Sequence, residues 1–365
     1  MQYPLSRRTF LKTSAALGAG MLINHANASG RRWRTPDEGA PHACTWMAWP
    51  SVESIYEDAA YFENVQQALG QLAAAISRFE PVRMAAPREQ HDRARELCGP
   101  AVELVPIPCE DMWMRDSGPV FVRFETGDLG VVNLHFNGWG DKQTPRSYDE
   151  RIAGAVAEHL GFPVIDNPLP LVGEGGGLEF DGDGTLLLTD SCWLNDNRNP
   201  GIDRKTMTAE LKRLFGLEKV IWLPGVRDQD ITDGHIDGAM RFVRPGLVMT
   251  GGLPGDDSDW GLALAEGREI LKRETDARGR AFELVDIPSA SEPANPSEWL
   301  FTGYANYYLA NGALFTGVFG DKQADAFAID TLGKLFPERK IVPLSLDAIY
   351  ESGGGIHCVT QQQPA

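Results

Sequence analysis

Six polar residues lie in apolar or glycine-rich stretches of this sequence, where such side chains are uncommon unless they do chemistry. They are Asp116, Glu174, His235, Asp237, Asn306 and Cys358. A thiol can act as a nucleophile, and a histidine can move protons at neutral pH. Carboxylates bind a planar guanidinium group through two parallel hydrogen bonds. Together these residue types suit nucleophilic attack on a positively charged planar carbon.

His235 and Asp237 stand two residues apart between glycines, in the segment GHIDG. On a strand, residues at this spacing face the same side, so a base and a cation anchor could lie together. An exposed polar turn explains the spacing equally well, because Asp-Gly is a common turn dipeptide. The spacing by itself leaves both interpretations open.

The other acidic residues and the cysteine have informative neighbours. Trp113 and Met114 near Asp116 indicate that its carboxylate is partly buried, and a buried carboxylate must be paired. A cationic ligand is one such partner, and Trp113 could add cation–π attraction to it. Glu174 precedes three glycines and Cys358 follows three, and glycine permits close backbone approach. The plainer alternatives are a surface salt bridge, a loop glutamate and a small buried cysteine.

Composition limits the class of partner. The 365 residues carry a formal net charge of −17, so the chain lacks the basic surface that nucleic-acid binding requires. An acidic protein suits a cationic ligand, although most acidic proteins are merely soluble. The five cysteines show neither CxxC pairs nor zinc spacing, and an odd number leaves at least one outside any intramolecular disulfide.

The first 28 residues have the features of an export signal. Paired arginines occur in SRRTFLK at 6–12, a short apolar run follows at 15–23, and the small-x-small triplet Ala-Asn-Ala occupies 26–28. The pattern predicts a twin-arginine signal over 1–28 and a periplasmic or secreted bacterial protein. The apolar run is too short to span a membrane. We expect one mature domain over 29–365.

Hydrophobic spacing predicts a chain of alternating helices and short strands. Apolar residues at intervals of three and four predict four helices, at 61–79, 204–215, 258–274 and 321–336. Short apolar runs predict nine strands, at 102–107, 119–124, 131–136, 185–189, 220–224, 247–251, 283–287, 313–317 and 341–345. The fold class is α/β. Successive candidate site residues are about 60 residues apart, which suggests five similar units around one centre.

Seven segments, in order along almost the whole mature chain, resemble the agmatine deiminase and bacterial-type peptidylarginine deiminase family of guanidine-modifying enzymes. They are TWMAWP, WMRDSGP, FNGWG, EGGGLEFDG, GHIDG, YANYYLANG and GGGIHCVTQQ. The resemblance implies the pentein α/β propeller, with five ββαβ-like units related by pseudo-fivefold symmetry. It implies hydrolytic deimination with no metal and no organic cofactor, and a homodimer is a further expectation because family members are often dimeric.

The resemblance also implies roles for individual residues. Cys358 is expected to attack the guanidinium carbon and form a covalent thiouronium intermediate. His235 is expected to protonate the leaving ammonia and to activate water. Asp116 and Asp237 are expected to clamp the guanidinium nitrogens, and Glu174 to orient His235 or the guanidinium.

Two further positions and the substrate complete the expectations. Asn306 matches a site position of the family, and Trp113 is expected to line the substrate channel. The first hypothesis is hydrolysis of agmatine to N-carbamoylputrescine and ammonia. The alternatives are deimination of arginine residues in peptides, or a non-catalytic periplasmic module that binds a guanidine or polyamine. Arg146, Arg198 and Arg241 are the candidates for binding a substrate carboxylate, and none is decisive.

Overall fold

The computed structural model describes residues 25–26, 32–56, 58–253 and 255–365. Most of the predicted leader therefore lies outside the described residues. No helix in the described part of the chain is long and apolar enough to cross a membrane.

Short strands and helices alternate along the described chain. The strands are β1 (His25–Ala26), β2 (Trp33–Arg34), β3 (His42–Ala48), β4 (Val82–Ala85), β5 (Val102–Val105), β6 (Val120–Phe124), β7 (Leu129–Val132), β8 (Val164–Ile165), β9 (Glu179–Phe180), β10 (Thr185–Thr189), β11 (Lys219–Leu223), β12 (Met240–Arg244), β13 (Leu247–Thr250), β14 (Glu283–Asp286), β15 (Tyr308–Ala310), β16 (Ala313–Gly317), β17 (Lys340–Leu344) and β18 (Gln361–Pro364). The helices are α1 (Ala59–Ile76), α2 (His91–Cys98), α3 (Met114–Ser117), α4 (Gly138–Asp141), α5 (Ile152–Leu160), α6 (Asp190–Trp193), α7 (Arg204–Phe215), α8 (Asp259–Leu271), α9 (Lys322–Leu335) and α10 (Asp347–Tyr350).

The strands form five separate sheets that share one connection pattern. In three of them an antiparallel pair is followed by a helix and a strand parallel to the second member of the pair. These are sheet 3 (β9, β10, α7, β11), sheet 4 (β12, β13, α8, β14) and sheet 5 (β15, β16, α9, β17). A parallel connection needs such a crossover helix, because a tight turn can join only antiparallel strands.

The other two sheets extend the same pattern. Sheet 2 contains β6, β7, α5 and β8, with β2 added beside β6 and β1 added beside β8. Sheet 1 pairs the C-terminal strand β18 with β3, and continues through α1, β4, α2 and β5. Sheet 1 therefore pairs the C-terminal strand with β3 from the N-terminal part of the chain, and Gln361 lies opposite Trp46.

Local sequence explains where the long helices begin and end. The side chains of Asp58, Asp203 and Asp321 accept hydrogen bonds from the first turns of α1, α7 and α9, which is the usual capping arrangement. Helix α7 ends at Gly216, whose φ of 67° is left-handed. The four predicted helices and eight of the nine predicted strands are confirmed, with small differences at their ends. The strand predicted at 131–136 is confirmed only in part, because the observed strand is Leu129–Val132.

The main hydrophobic core lies between sheets 1 and 5. Trp46 of β3 and Trp49, which follows that strand, are fully buried, as are Tyr308 and Phe315 of sheet 5. All five cysteines are buried and free of disulfides.

We expect the β3–β18 pairing to depend on Gln363. Its Oε1 accepts hydrogen bonds from Trp46 Nε1 at 2.9 Å and from Cys44 Sγ at 3.3 Å. Gln363→Leu leaves the buried Trp46 N–H unpaired, so the free energy of unfolding should fall by about 1–3 kcal/mol. Gln362→Leu on the same strand is the matched control, because the buried Oε1 of Gln362 has no partner to lose. Equal losses for both variants in denaturant titrations contradict this account.

Candidate active site

Each sheet contributes to one buried polar cluster from the segment just before the first strand of its antiparallel pair. Asp116 is in α3, before β6, and Glu174 precedes a short 3-10 turn (Gly175–Gly177) that leads into β9. The remaining members precede β12, β15 and β18 and are His235, Asp237, Asn306 and Cys358. This repeated position explains the interval of about 60 residues between them.

The GHIDG segment is a turn and not a strand. Residues Ile236–Gly238 form a single 3-10 turn, so the expectation that His235 and Asp237 share a strand face is wrong. The exposed-turn alternative is also wrong, since His235 is only 7% exposed and Asp237 only 2% exposed. The turn ends at Gly238, and β12 begins at Met240.

Cys358 lies against Asn306 and Asp237. Asn306 Nδ2 donates to Cys358 Sγ at 3.2 Å and to Asp237 Oδ2 at 3.1 Å. Cys358 Sγ donates to the same Asp237 oxygen at 3.4 Å. Asn306 Oδ1 also accepts the backbone N–H of His357 at 3.0 Å, so one amide fixes both the carboxylate and the cysteine segment.

Asp237 is held as an ionised carboxylate. Burial would raise its pKa, but the hydrogen bond from His357 Nδ1 at 2.8 Å and the positive charges nearby lower it to about 2. His357 Nε2 is in turn 3.0 Å from Glu38 Oε2, and Glu38 pairs with Arg241 at 2.6 Å. A buried charge is stable only when it is paired in this way.

Asp116 faces His235 across Gly176. Asp116 accepts hydrogen bonds from Trp139 Nε1 at 3.0 Å and from the Gly176 N–H at 3.1 Å, and its Oδ1 is 3.7 Å from His235 Nδ1. A Cβ on Gly176 would lie 2.6 Å from His235 Nδ1, 2.9 Å from Asp116 Oδ1 and 3.2 Å from Asp237 Oδ2. Because Gly176 has no side chain, the backbone can pass close to both the Asp116 and the Asp237 carboxylates.

Glu174 anchors the other edge of His235. Its Oε2 lies 3.3 Å from His235 Nε2, and its two oxygens accept from Arg198 Nε at 2.8 and 3.0 Å. Arg198 also donates to Asp233 at 2.7 Å. Burial would raise the pKa of Glu174, but Arg198 and His235 lower it. Glu174 therefore stays ionised beside the imidazole.

The electrostatics differ on the two sides of the site. Burial raises the pKa of Asp116 to about 6, with His235 opposing this rise and Asp237 adding to it. Burial alone would lower the pKa of His235, but the Asp116 charge and hydrogen bonding to Cys192 and Glu174 raise it well above its ordinary value. His235 is therefore an imidazolium at neutral pH, able to give a proton to a leaving amine.

The thiol is held in its protonated form when the site contains no other cation. Burial raises the pKa of Cys358 well above its ordinary value, and the Asp237 and Asp116 charges raise it further. A bound cation between these carboxylates would offset their charge and favour the thiolate. A guanidinium group carries such a charge in a planar form that two carboxylates can clamp.

The three arginines considered for a substrate carboxylate are all engaged elsewhere. Arg198 is bound to Glu174 and Asp233, and its side chain is fully buried. Arg241 is bound to Glu179 at 2.7 Å and to Glu38. Arg146 pairs with Glu150 at 2.7 Å and with Asp141. Each of the three candidates therefore already has carboxylate partners within the protein.

Trp113 lies close to the nucleophile. Its ring packs edge-on against Trp139 with centroids 6.4 Å apart, and a Cβ on Gly354 would lie 2.5 Å from it. Trp113 is 8% exposed, which is the same fraction as Cys358. Its place beside the cysteine segment is consistent with a wall of the site, and its role as a channel residue stays a prediction.

Sequence reasoning missed four residues that hold the predicted ones in place. His357 was inside the GGGIHC segment and Trp139 inside FNGWG, so the motifs contained both without assigning them a role. Glu38 lies outside every motif, and its contact with His357 identifies it. Gly176 belongs to the glycine run, whose need for space was expected but whose neighbours were not.

The described chain contains one group of metal-type ligands near the site. Ligand atoms of Glu174, Cys192 and His235 lie within 4.8 Å of one another, and all three residues are buried. Cys192 Sγ is 3.5 Å from Glu174 Oε2. Sequence spacing could not indicate this group, because its members come from three separate segments.

Comparison with known proteins identifies the family. The sequence profile of the Porphyromonas-type peptidyl-arginine deiminases matches residues 34–364. The chain belongs to this family. A twin-arginine translocation pathway signal sequence matches residues 4–23, which confirms that part of the leader.

Relatives in this family extend over nearly the whole chain. A Streptomyces coelicolor protein is 41% identical over 342 residues, covering 91% of this chain and 99% of that protein. The agmatine deiminase of Stutzerimonas stutzeri is 36% identical, covering 90% and 95%. The structure of the agmatine deiminase of Enterococcus faecalis superposes with a TM-score of 0.84 at 27% identity, covering 91% and 96%.

Gly176→Ala is expected to disable the site without unfolding the protein. The added methyl group must displace His235 or Asp116, and a shift of about 1 Å in a catalytic group costs roughly 10²-fold in rate. Gly154→Ala in α5 is the matched control, because its Cβ meets nothing within 4 Å and alanine favours a helix.

The measurements are ammonia release from a guanidine substrate and the thermal unfolding midpoint. Full activity in Gly176→Ala would show that the backbone approach is not needed. A large fall in the midpoint, matching the loss of activity, would show that the substitution acts by unfolding.

Proposed function

We propose that this protein hydrolyses agmatine to N-carbamoylputrescine and ammonia. The observation that carries the proposal is the convergence of the Cys358 thiol, the His235 imidazole and the Asp116 and Asp237 carboxylates in one buried cluster. A binding protein for a cation needs the carboxylates but has no use for the thiol. The family relationship and the agmatine deiminase relatives support the same reaction.

Substrate binding prepares the nucleophile. The guanidinium takes its place between Asp116 and Asp237, and its positive charge offsets the carboxylate charges that raise the pKa of Cys358. The thiol releases its proton to solvent, and the thiolate lies beside the guanidinium carbon. Asn306 Nδ2, 3.2 Å from Sγ, supplies a hydrogen bond that favours the thiolate.

The first half-reaction expels ammonia. The Cys358 thiolate attacks the guanidinium carbon, forming a C–S bond while the C=N π electrons move onto nitrogen. His235 gives its proton to one –NH₂ group, the C–N bond breaks, and ammonia leaves. A cationic thiouronium intermediate and a neutral imidazole remain, so charge and protons balance. Glu174 at 3.3 Å keeps His235 in position throughout.

The second half-reaction consumes water. His235 takes one proton as the water oxygen bonds to the thiouronium carbon. The hydroxyl proton of the resulting tetrahedral intermediate goes to solvent, where it converts the ammonia released in the first half-reaction to ammonium, and the C–S bond breaks. The products are a ureido group and the Cys358 thiolate, and His235 is again an imidazolium. One enzyme group therefore acts first as acid and then as base.

Two features favour agmatine over free arginine. All three arginines considered for a carboxylate are bound to carboxylates of the protein, as described above. Agmatine keeps the amine of arginine but lacks its α-carboxylate, and a net negative protein attracts such a dication. Peptidylarginine, for which the family is named, also lacks a free carboxylate and is the second candidate.

The setting of the reaction follows from the leader. We propose that residues 1–28 direct export and are removed, leaving a single catalytic domain over 29–365 in the periplasm or outside the cell. We also propose that the mature protein forms a homodimer. We further propose that the five ββαβ units surround one axis with pseudo-fivefold symmetry as in the pentein propeller. The equivalent position of the site residues, before the first paired strand of each sheet, supports that arrangement.

An assay with three substrates tests the proposal. Purified 29–365 should release ammonia from agmatine much faster than from arginine or a blocked arginine peptide. Cys358→Ser should reduce this rate at least about 10³-fold, because a neutral hydroxyl is a far weaker nucleophile. Cys98→Ala, a buried cysteine outside the site, is the control that should retain activity.

The outcomes separate the candidates. Citrulline formation in the peptide without turnover of agmatine assigns the second function. Binding of agmatine without turnover of any of the three substrates assigns the non-catalytic alternative.

A further inference from the structure

We propose that Glu174, Cys192 and His235 form a Zn²⁺ site, and that zinc bound there inhibits the enzyme by occupying His235. The binding stands on the geometry of these three residues. The inhibition rests on the proposed function, because only that function requires a free His235.

The distances between the donor atoms match a zinc tetrahedron. Zinc bonds of about 2.0 Å to nitrogen and oxygen and about 2.3 Å to sulfur set neighbouring ligand atoms roughly 3.3–3.6 Å apart. Glu174 Oε2 lies 3.3 Å from His235 Nε2 and 3.5 Å from Cys192 Sγ. Two edges of the tetrahedron therefore already have their final length. All three ligand atoms lie within 4.8 Å of one another.

The surroundings of His235 fit a metal-bound imidazole. Zinc-bound histidines usually donate their second ring N–H to a carboxylate, which fixes the tautomer. When Nε2 binds the metal, Nδ1 carries the proton, and Asp116 Oδ1 is 3.7 Å away. The buried Nδ1 makes no hydrogen bond in this structure. A carboxylate is thus in place near the Nδ1–H of a zinc-bound imidazole.

The charges also balance. Zinc displaces the proton of the Cys192 thiol to solvent, and the resulting thiolate and the Glu174 carboxylate together neutralise the ion. Arg198, which binds Glu174, is neutralised separately by Asp233 at 2.7 Å. Glu174 can keep Oε1 on Arg198 at 2.8 Å while Oε2 faces the metal. The fourth zinc position is left for water.

Zinc binding and deimination exclude each other in this arrangement. An imidazole that binds zinc through Nε2 cannot become an imidazolium, so the acid that protonates the leaving ammonia is lost. Cys192 has no part in the reaction steps, so its thiol is the feature that distinguishes a metal site from the catalytic cluster.

Cobalt binding tests the site without relying on activity. Co²⁺ replaces zinc, and its thiolate bond gives a near-ultraviolet charge-transfer band. Cys358→Ser in the 29–365 protein should bind one Co²⁺ with this band and release it to Zn²⁺. Adding Cys192→Ser to that protein should abolish the band and weaken zinc binding at least about tenfold, as loss of a ligand does. Cys98→Ala is the matched cysteine control and should keep the band.

Three results overturn the proposal. The first is a band that survives Cys192→Ser but depends on Cys358, which would place the metal on the nucleophile. The second is the absence of any stoichiometric binding by Cys358→Ser. The third is zinc inhibition of agmatine turnover that is equal in the Cys192→Ala and Cys98→Ala proteins. Unchanged unfolding midpoints confirm that the variants are folded. An inactive protein that still shows the band refutes only the proposed function.

Discussion

The site depends on one carboxylate oxygen that joins three sheets. Asp237 Oδ2 accepts hydrogen bonds from Asn306, from the His357 ring and from the Cys358 thiol. These donors precede the strands of sheets 5 and 1, while Asp237 precedes sheet 4. An ionised carboxylate this deeply buried is stable only with such partners. Because the Asp237 carboxylate needs these hydrogen bonds, it holds Cys358 and Asn306 together although they are far apart in the sequence.

A second constraint is the unequal charge of the two clamp carboxylates. Burial and the fixed partners bring the pKa of Asp237 to about 2, whereas burial raises the pKa of Asp116 to about 6. Asp116 has only neutral hydrogen-bond donors and the His235 imidazolium beside it. The negative charge of the Asp116 and Asp237 carboxylates is therefore not fully neutralised by the cationic groups of the site. A guanidinium supplies the missing charge, which links binding of the substrate to activation of the thiol.

Much of this arrangement could be predicted from the sequence, because periodicity and motifs report local structure. Helix 204–215 and strand 185–189 match their predictions, and the six candidate site residues do converge. The sequence could not reveal which distant side chains contact the site residues. Arg198 was considered a ligand for substrate, but the fold buries it against Glu174, 24 residues away. Glu38 reaches His357 across 319 residues, a contact that no local pattern records.

The central claim is that a cation between Asp116 and Asp237 lowers the pKa of Cys358. The direct measurement is the ultraviolet thiolate absorbance of the 29–365 protein, minus that of Cys358→Ser, over a pH titration. An amidinium ion presents the planar charge of a guanidinium and serves as the probe. The account predicts that the probe shifts the thiolate transition to lower pH, and that Asp237→Asn alone also shifts it down by removing a negative charge. A transition at the same pH with and without the probe would contradict the claim.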